Sequence, residues 1–246
     1  MVLALAAFAA CTKEKDPNLL IIANNANYPP YEFVNKQGEL VGLDIDVAHA
    51  LAKELGKKLI IKEMDFDAQI LALKQGKVDL IISGLYITPS RSKEIFLVPY
   101  IPQEASPLSV IFWKKKPEIN SLSDLENYLD GKPVTIQSGN YLEGTLQGFG
   151  RLNVRGLNGP TEQILDLKYQ KSEAAAVETF VAKTLTSGNE NLYSVELALP
   201  SKDQSMLVGI GVAKFNSGLR DKIEHAVDSL KKDGSLGEIV KKWRKI

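Results

Sequence analysis

The sequence has few of the residues from which many catalytic and metal centres are built. Its 246 residues include one cysteine and two histidines. A lone cysteine cannot form an internal disulfide, so the fold depends on its core, and a cysteine-rich metal site is excluded. His49 and His225 lie in helical segments with charged neighbours, and no Ser-His-Asp set or Cys-His pair can be drawn. We therefore expect no metal, no cofactor and no enzymatic activity.

The chain also has no excess charge. Lys and Arg total 30, as do Asp and Glu, so the net charge is zero and no basic block indicates a nucleic-acid partner. The phosphate-binding pattern Gly-x-x-x-x-Gly-Lys-Ser/Thr does not occur, so a nucleotide loop is unsupported. Hydrophobic residues make up 44% of the sequence, which is enough for one large or two medium domains.

The N-terminus contains a short hydrophobic run, MVLALAAFAAC, followed by the polar TKEKDPN. This run is too short to cross a bilayer as a mature helix and is typical of the end of an export signal. Small residues directly before Cys11 resemble a bacterial lipoprotein cleavage box. We predict that residues 1–17 are a signal and tether and that Cys11 carries a lipid anchor on the periplasmic or cell-surface side. The alternative is an ordinary buried or free cysteine.

The first part of the chain alternates strand and helix patterns. Apolar runs predict strands at 19–23, 59–64 and 78–84. Helical spacing predicts helices at 42–55 and 67–76, the second of them capped by Asp67. This βαβαβ order is typical of a parallel sheet with helices on both faces.

The second part repeats this organisation. Strands are predicted at 107–113, 133–137, 152–156, 174–178 and 206–213. Helices are predicted after Ser121, around 141–146, after Thr161 as their cap, from Thr179, and at 216–232 and 235–245. We predict two α/β lobes. Lobe 1 comprises 18–104 plus 202–246, and lobe 2 comprises 105–201, with crossovers near 102–107 and 200–205, where prolines cluster.

The segment SGLYITPSR (83–91) follows a predicted strand and opens a helix. Thr88 is suited to the N-cap and Pro89 to the first helical position. Arg91 then lies in the first turn, where the helix dipole disfavours a cation and an anionic partner would remove the penalty. A surface arginine paired with Glu94 or Asp79 is the equal alternative.

Other polar groups follow other strands, at the sheet edge where open α/β sheets bind ligands. QSGNYLEG (137–144) offers Asn140 and free backbone N–H groups to an anion. Glu178 ends the run AAAV and could receive an ammonium group or cap the next helix. Tyr28 and Phe66 could form flat walls of a site, although aromatic residues at strand ends are more often core.

Three segments in order, YPPYEF, GELVGLDIDVAHALAKELG and MDFDAQILALKQGKVDLIISGLYITPSR, closely resemble the family 3 bacterial solute-binding proteins. The ending, LRDKIEHAVDSLKKDGSLGEIVKKW, is also similar. The resemblance covers about residues 18–245, and the arginine-binding type is the nearest. It implies the two-lobed periplasmic-binding-protein fold (type II), with two α/β lobes joined by a two-strand hinge and a ligand cleft between them.

The resemblance also implies a function and a role for each site position. The protein would be the extracytoplasmic receptor of an ABC importer, with a permease as partner and a free polar or basic amino acid, arginine favoured, as ligand. Arg91 would hold the α-carboxylate, with Asn140 approaching from lobe 2, and Glu178 would hold the α-ammonium. Tyr28 and Phe66 would flank the side chain. The backbone of three residues would line the site in lobe 1: Ser83, Gly84 and Tyr86.

Three positions depart from the family pattern. Tyr86 replaces a Ser or Thr, Asn140 replaces a common Thr, and Asn25 stands where receptors for cationic side chains often have Asp. A cationic ligand side chain must then find another partner, for which Glu104, Asp67 and Glu32 are the candidates.

Two other functions remain open. One is a cyclohexadienyl (prephenate or arogenate) dehydratase-like enzyme with Glu178 as proton donor. The other is a sensor module that binds the same ligand and signals through a partner.

Overall fold

The computed structural model describes residues 16–102, 108–199 and 207–244. Its strands are β1 (Leu19–Asn24), β2 (Asn27–Tyr28), β3 (Glu32–Val34), β4 (Leu40–Val41), β5 (Lys58–Glu63), β6 (Leu80–Ile81), β7 (Ile95–Pro102), β8 (Leu108–Trp113), β9 (Pro133–Gln137), β10 (Asn153–Leu157), β11 (Ala174–Glu178), β12 (Leu192–Leu197) and β13 (Leu207–Ala213). Its helices are α1 (Leu43–Glu54), α2 (Gln69–Lys74), α3 (Pro89–Glu94), α4 (Leu122–Leu129), α5 (Glu143–Gln147), α6 (Pro160–Lys168), α7 (Thr179–Thr186), α8 (Ser217–Lys232) and α9 (Ser235–Arg244).

The two large sheets share one strand plan. The first has the order β5-β1-β6-β13-β7, in which β1 runs parallel to β5 and β6, and β13 runs antiparallel to β6 and β7. The second has the order β10-β9-β11-β8-β12, with three parallel strands and β8 antiparallel to both of its neighbours. The prediction of two α/β lobes is therefore confirmed.

The chain passes between the sheets twice, after β7 and again before β13. The predicted crossovers near 102–107 and 200–205, with Glu104, fall almost wholly outside the described residues, as does Cys11. The lobe boundaries and the two-strand hinge therefore stay predictions.

Each sheet is buried by helices with an apolar stripe. In α1, Leu43, Val47 and Leu51 recur every four residues and are buried, because that spacing places them on one helix face. The C-terminal helices also lie against the first sheet and α1, where the Trp243 Nε1 donates to Asp46 Oδ2 at 2.7 Å. The strands thus end in fixed positions, which is the requirement for a site built on their ends.

Sequence reasoning missed two edge strands and a small sheet. Prolines at 99 and 102 speak against a strand, yet β7 forms at the sheet edge beside a bulge in β13, where a missing N–H is tolerated. β12 is also an edge strand, and β2, β3 and β4 form a third, short sheet. The predicted strand 78–84 contracts to β6, because the chain bends at Ser83 and Gly84, where φ of Gly84 is +54°.

Two of the four predicted helix caps are confirmed and two are wrong. Thr88 and Ser121 accept backbone N–H groups in the first turns of α3 and α4. Asp67 lies inside a 3-10 turn, Phe66–Ala68, that leads into α2. α6 begins two residues earlier than predicted, with Gly159 as its cap and a proline at its first position, so Thr161 lies in its first turn. Among the described helices none is long and apolar enough to cross a membrane.

Candidate functional site

Arg91 is buried between the two lobes. Thr88 Oγ1 accepts the Arg91 N–H at 3.2 Å and so anchors the start of α3. The side chain of Arg91 is 7% exposed, and its Nη1 donates to the Tyr86 carbonyl at 2.7 Å while Nη2 donates to the Gly139 carbonyl of the second lobe at 2.9 Å. The surface alternative is wrong, because Glu94 pairs with Lys74 instead.

The guanidinium of Arg91 meets neutral acceptors on both lobes. Burial lowers its pKa to about 10, which still leaves the group charged at neutral pH. Its Cζ lies 5.3 Å from the centre of the Phe66 ring, and no ion pair joins Arg91 to a carboxylate in the described part of the chain. A buried cation held by carbonyl groups alone favours the arrival of an anion.

Glu178 is the buried anion of the same region. Its side chain, 1% exposed at the end of β11, accepts a hydrogen bond from Asn140 Nδ2 at 3.0 Å and another from the Tyr28 hydroxyl of the first lobe. Glu178 occupies the N-cap position of α7, as the helix-capping alternative expects, but its side chain makes no cap hydrogen bond. Burial raises its pKa, while the Tyr28 and Asn140 hydrogen bonds and the charge of Arg91 oppose that rise.

Three tyrosines enclose the region between the charges. Tyr86 of the first lobe stacks on Tyr141 of the second, with ring centres 4.8 Å apart. Tyr28 is buried, and its hydroxyl also receives a hydrogen bond from Asn140 Nδ2 at 3.3 Å. The aromatic side chains therefore join the lobes as well as filling space.

Ser83 and Gly84 turn beneath this region, and both have their polar groups engaged within the first lobe. Ser83 Oγ accepts from the Asn25 N–H and from Gln69 Nε2, each at 3.1 Å, and donates to Glu32 at 2.8 Å. The Gly84 N–H donates to Asp44 Oδ2 at 2.6 Å. These contacts fix the turn, and φ of +54° at Gly84 suits glycine.

Asn25 extends the contact between lobes, since its Nδ2 donates to Asn158 Oδ1 at 2.8 Å. The structure thus brings Tyr28, Phe66, Tyr86, Arg91, Asn140 and Glu178 around one interlobe region, with Ser83 and Gly84 below it and Asn25 at its side.

A cavity of about 310 Å³ opens beside Phe66 and contains several residues that sequence reasoning missed. Its walls come from both lobes and carry three carboxylates. The lining residues are Asp65, Phe66, Asp67, Ser138, Gly156, Leu157, Asn158 and Glu162. Of the two earlier candidates for a cation partner that lie among the described residues, Asp67 lines this cavity, whereas Glu32 is buried in the first lobe. Sequence reasoning also missed Tyr141, for which a signal existed, since this aromatic residue directly follows Asn140 in the segment QSGNYLEG.

The described residues contain no group of three or more His, Cys, Asp or Glu side chains arranged to hold a metal ion. Both histidines are exposed on helices, as expected.

Two sheets of the same order, with opposite charges buried where they meet, define a two-lobed binding protein of the type II periplasmic class. A solved ancestral arginine-binding protein bound to arginine superposes with a TM-score of 0.82 at 33% identity, covering 92% of this chain and 98% of that one. An ancestral arginine-binding protein bound to glutamine gives a TM-score of 0.83, again at 33% identity, covering 93% and 99%.

The sequence comparisons agree with the fold. The family model for bacterial extracellular solute-binding proteins, family 3, matches residues 20–246. A probable ABC transporter arginine-binding protein, ArtJ, of Chlamydia trachomatis is 37% identical over 236 residues, which cover 95% of this chain and 90% of the relative. The chain belongs to the family 3 bacterial extracellular solute-binding proteins, and the predicted resemblance is confirmed.

Proposed function

We propose that this protein is the substrate-binding receptor of an amino-acid ABC importer and that its ligand is a free basic amino acid, arginine before others. The observation that carries the proposal is the burial of a guanidinium, Arg91, and a carboxylate, Glu178, in one region between the lobes. The carboxylate of an amino-acid zwitterion can pair with Arg91 and its ammonium group with Glu178, so neither charge of the ligand is buried unpaired.

The residue roles follow from this geometry. Arg91 binds the α-carboxylate with its planar fork of donors, in place of a carbonyl that it now contacts. Glu178 binds the α-ammonium, and Asn140 and Tyr28 orient that carboxylate. Residues of both lobes contribute, so the ligand favours the closed form through contacts that the open form cannot make.

The charge of the neighbouring cavity supports a cationic ligand side chain. Asp65, Asp67 and Glu162 line it, and Phe66 offers a flat face to a guanidinium. Asn25, which is neutral, contacts Asn158 at the same edge. The names of the relatives, which state arginine binding, support the same assignment.

The cellular setting belongs to the same proposal. Members of the family are extracellular. We infer export through residues 1–17, attachment to the membrane by a lipid on Cys11, and delivery of the ligand to a permease, with residues 18–104 plus 202–246 as one lobe and 105–201 as the other.

Catalysis is not part of the proposed function. A dehydratase would need Glu178 as a proton donor. Burial raises the pKa of this carboxyl, while the hydrogen bonds from the Tyr28 hydroxyl and the Asn140 amide favour its ionised form, so an assay decides the question. Incubation with prephenate or arogenate should leave both acids unchanged, and turnover of either would establish the enzyme instead.

A thermal-shift panel of the standard amino acids tests the function. At a ligand concentration of 100 Kd, a binder adds about 2.7 kcal/mol to the free energy of unfolding. We expect arginine to give the largest shift, and Arg91→Ala to abolish it because the carboxylate then loses its cation.

Lys93→Ala is the matched control, since Lys93 is an exposed cation on the same helix. It should keep the full shift. A panel without any response, or an undiminished arginine shift in Arg91→Ala, would refute the proposal.

A further inference from the structure

Two carboxyl groups are buried together beneath the Ser83–Gly84 turn. Glu32 lies on β3 and Asp44 on α1, and both are 0% exposed. Glu32 accepts from the Ser83 hydroxyl and Asp44 from the Gly84 N–H, so the two carboxyl groups hold neighbouring residues of the turn. Two ionised carboxylates buried side by side without a cation repel each other, which favours a proton on one of them.

The donors around the pair show where that proton lies. Asp44 already accepts two hydrogen bonds, from the Gly84 N–H at 2.6 Å and from the Tyr100 hydroxyl. Glu32 Oε1 accepts from Ser83 Oγ at 2.8 Å, whereas Glu32 Oε2 is buried and receives a hydrogen bond from no donor of the described residues. Asp44 is therefore solvated as an anion by its neighbours, and Glu32 is the better site for the proton.

No cation compensates the pair. Within the described chain, neither carboxyl forms an ion pair with Lys, Arg or His. The groups that donate to them are the hydroxyls of Tyr100 and Ser83 and the backbone of Gly84, and the phenol of Tyr31 also lies near Asp44. Burial and the Asp44 charge raise the pKa of Glu32 well above its usual value, and burial raises the pKa of Asp44 to about 6. Burial also raises the pKa of Tyr100, so that hydroxyl stays neutral.

We propose that Glu32 is a positioning residue that keeps one proton at neutral pH, donates it to Asp44, and through this pair holds the Ser83–Gly84 turn. Its consequence for ligand affinity rests on the proposed function, while the proton itself does not. A ligand at Arg91 and Glu178 depends on that turn, because Tyr86, two residues beyond it, supplies both the carbonyl held by Arg91 and the ring stacked on Tyr141.

The direction of the pH effect follows from proton binding. The folded protein binds the Glu32 proton more tightly than the unfolded chain does. Stability from this group is therefore complete at pH values below the ordinary pKa of glutamate and declines as the pH rises toward the folded pKa. In that window the ratio of folded to unfolded protein falls by up to about tenfold per pH unit for one proton.

Carbon-13 NMR of protein labelled at the glutamate carboxyl carbons tests the proton directly. The Glu32 Cδ resonance, assigned through bonds in the wild type and by its loss in Glu32→Gln, should keep the shift of a protonated acid at pH 7. The Gly84 amide resonance should move in step with it when it finally titrates. Ionisation of Glu32 at the ordinary pKa of glutamate would overturn the proposal, whether or not any variant folds.

Stability measurements give an independent readout. Glu32→Gln supplies an amide donor to Asp44 and an acceptor to Ser83, so its stability should decline less steeply than that of the wild type as the pH rises above the ordinary pKa of glutamate. A decline of the same sign remains in both proteins, because burial also raises the pKa of Asp44 and of Glu178. Glu54→Gln, an exposed glutamate on α1, is the matched control and should decline as the wild type does. Equal slopes for wild type and Glu32→Gln would contradict the assignment.

Arginine titrations at the same pH values separate the two proposals. We expect the wild-type Kd, relative to that of Glu32→Gln, to rise with pH as the pair loses its proton. A protonated Glu32 with a constant Kd ratio would refute the positioning role alone. If Glu32 is protonated but the protein binds no amino acid, the positioning role and the proposed function are both refuted. Only the claim that Glu32 keeps a proton at neutral pH would then stand.

Discussion

Two side chains of opposite charge are buried at the lobe junction, and neutral groups satisfy both. Carbonyl oxygens accept from Arg91, while a phenol and an amide donate to Glu178. A hydrogen bond to a charged group is worth about 1.5–3 kcal/mol. These contacts therefore keep both charges in place. When a zwitterionic ligand binds, each of the two side chains exchanges a neutral partner for a group of opposite charge.

Glu178→Gln tests the ammonium partner. The amide keeps an acceptor for Tyr28 but carries no charge, and losing one member of a buried, hydrogen-bonded charge pair costs about 2–5 kcal/mol of binding. We expect calorimetric titration with arginine to show at least a tenfold weaker Kd. The free protein should melt lower than wild type, because the amide offers one acceptor to the two donors, Tyr28 and Asn140, and the buried charge of Arg91 loses its neighbouring anion.

Glu162→Gln serves as the comparison at the cavity wall. It removes one of three carboxylates there and should weaken arginine less than Glu178→Gln does. An unchanged Kd in Glu178→Gln would exclude the ammonium role.

Among the elements, the short helix α3 matters most for the site. It has six residues, too few for stability on its own, and depends on the Thr88 cap, on Pro89 at its first position and on packing against β7. The Thr88 hydroxyl accepts the N–H of Arg91 itself. The same hydrogen bond therefore fixes the start of the helix and the position of the residue proposed to bind the ligand.

Thr88→Ala should therefore affect both stability and binding. Loss of an N-cap costs about 1 kcal/mol of unfolding free energy, measurable by urea titration, and the released Arg91 should bind arginine more weakly. Thr88→Ser keeps the hydroxyl and should behave as wild type in both assays. A Thr88→Ala variant with unchanged stability would show that packing alone fixes the helix.

At the scale of the molecule, the lobes meet through many small contacts. Tyr86 stacks on Tyr141, Asn25 bonds to Asn158, and the Thr161 N–H donates to Asn27 Oδ1 at 3.2 Å. A Cβ on Gly139 would lie 3.0 Å from Asp67 Cβ, so glycine is needed for this approach. Closure is thus stabilised by groups that need not touch the ligand.

Tyr141→Ala tests this contribution to closure. An aromatic pair is worth about 0.5–1.5 kcal/mol beyond its buried area, so we expect arginine affinity to fall by about two- to tenfold. Small-angle scattering should show that the radius of gyration shrinks at a correspondingly higher arginine concentration. Tyr169→Ala, at an exposed tyrosine of the second lobe, is the control and should follow the wild-type curve. Identical curves for all three proteins would rule out the stack as a closure contact.

The sequence by itself determined the two α/β lobes, the family and the start of α3, because periodicity, cap residues and motif order are local. It placed Arg91 just after one strand and Glu178 at the end of another. It left open a surface ion pair for Arg91 and a helix cap for Glu178, and only the tertiary structure decided between these roles. Pairing across the lobes joins residues far apart in the chain, such as Tyr28 with Glu178 and Asn25 with Asn158. The carboxyl pair of Glu32 and Asp44 likewise became visible only in three dimensions, since burial and the surrounding hydrogen-bond donors, not residue type, distinguish the two groups.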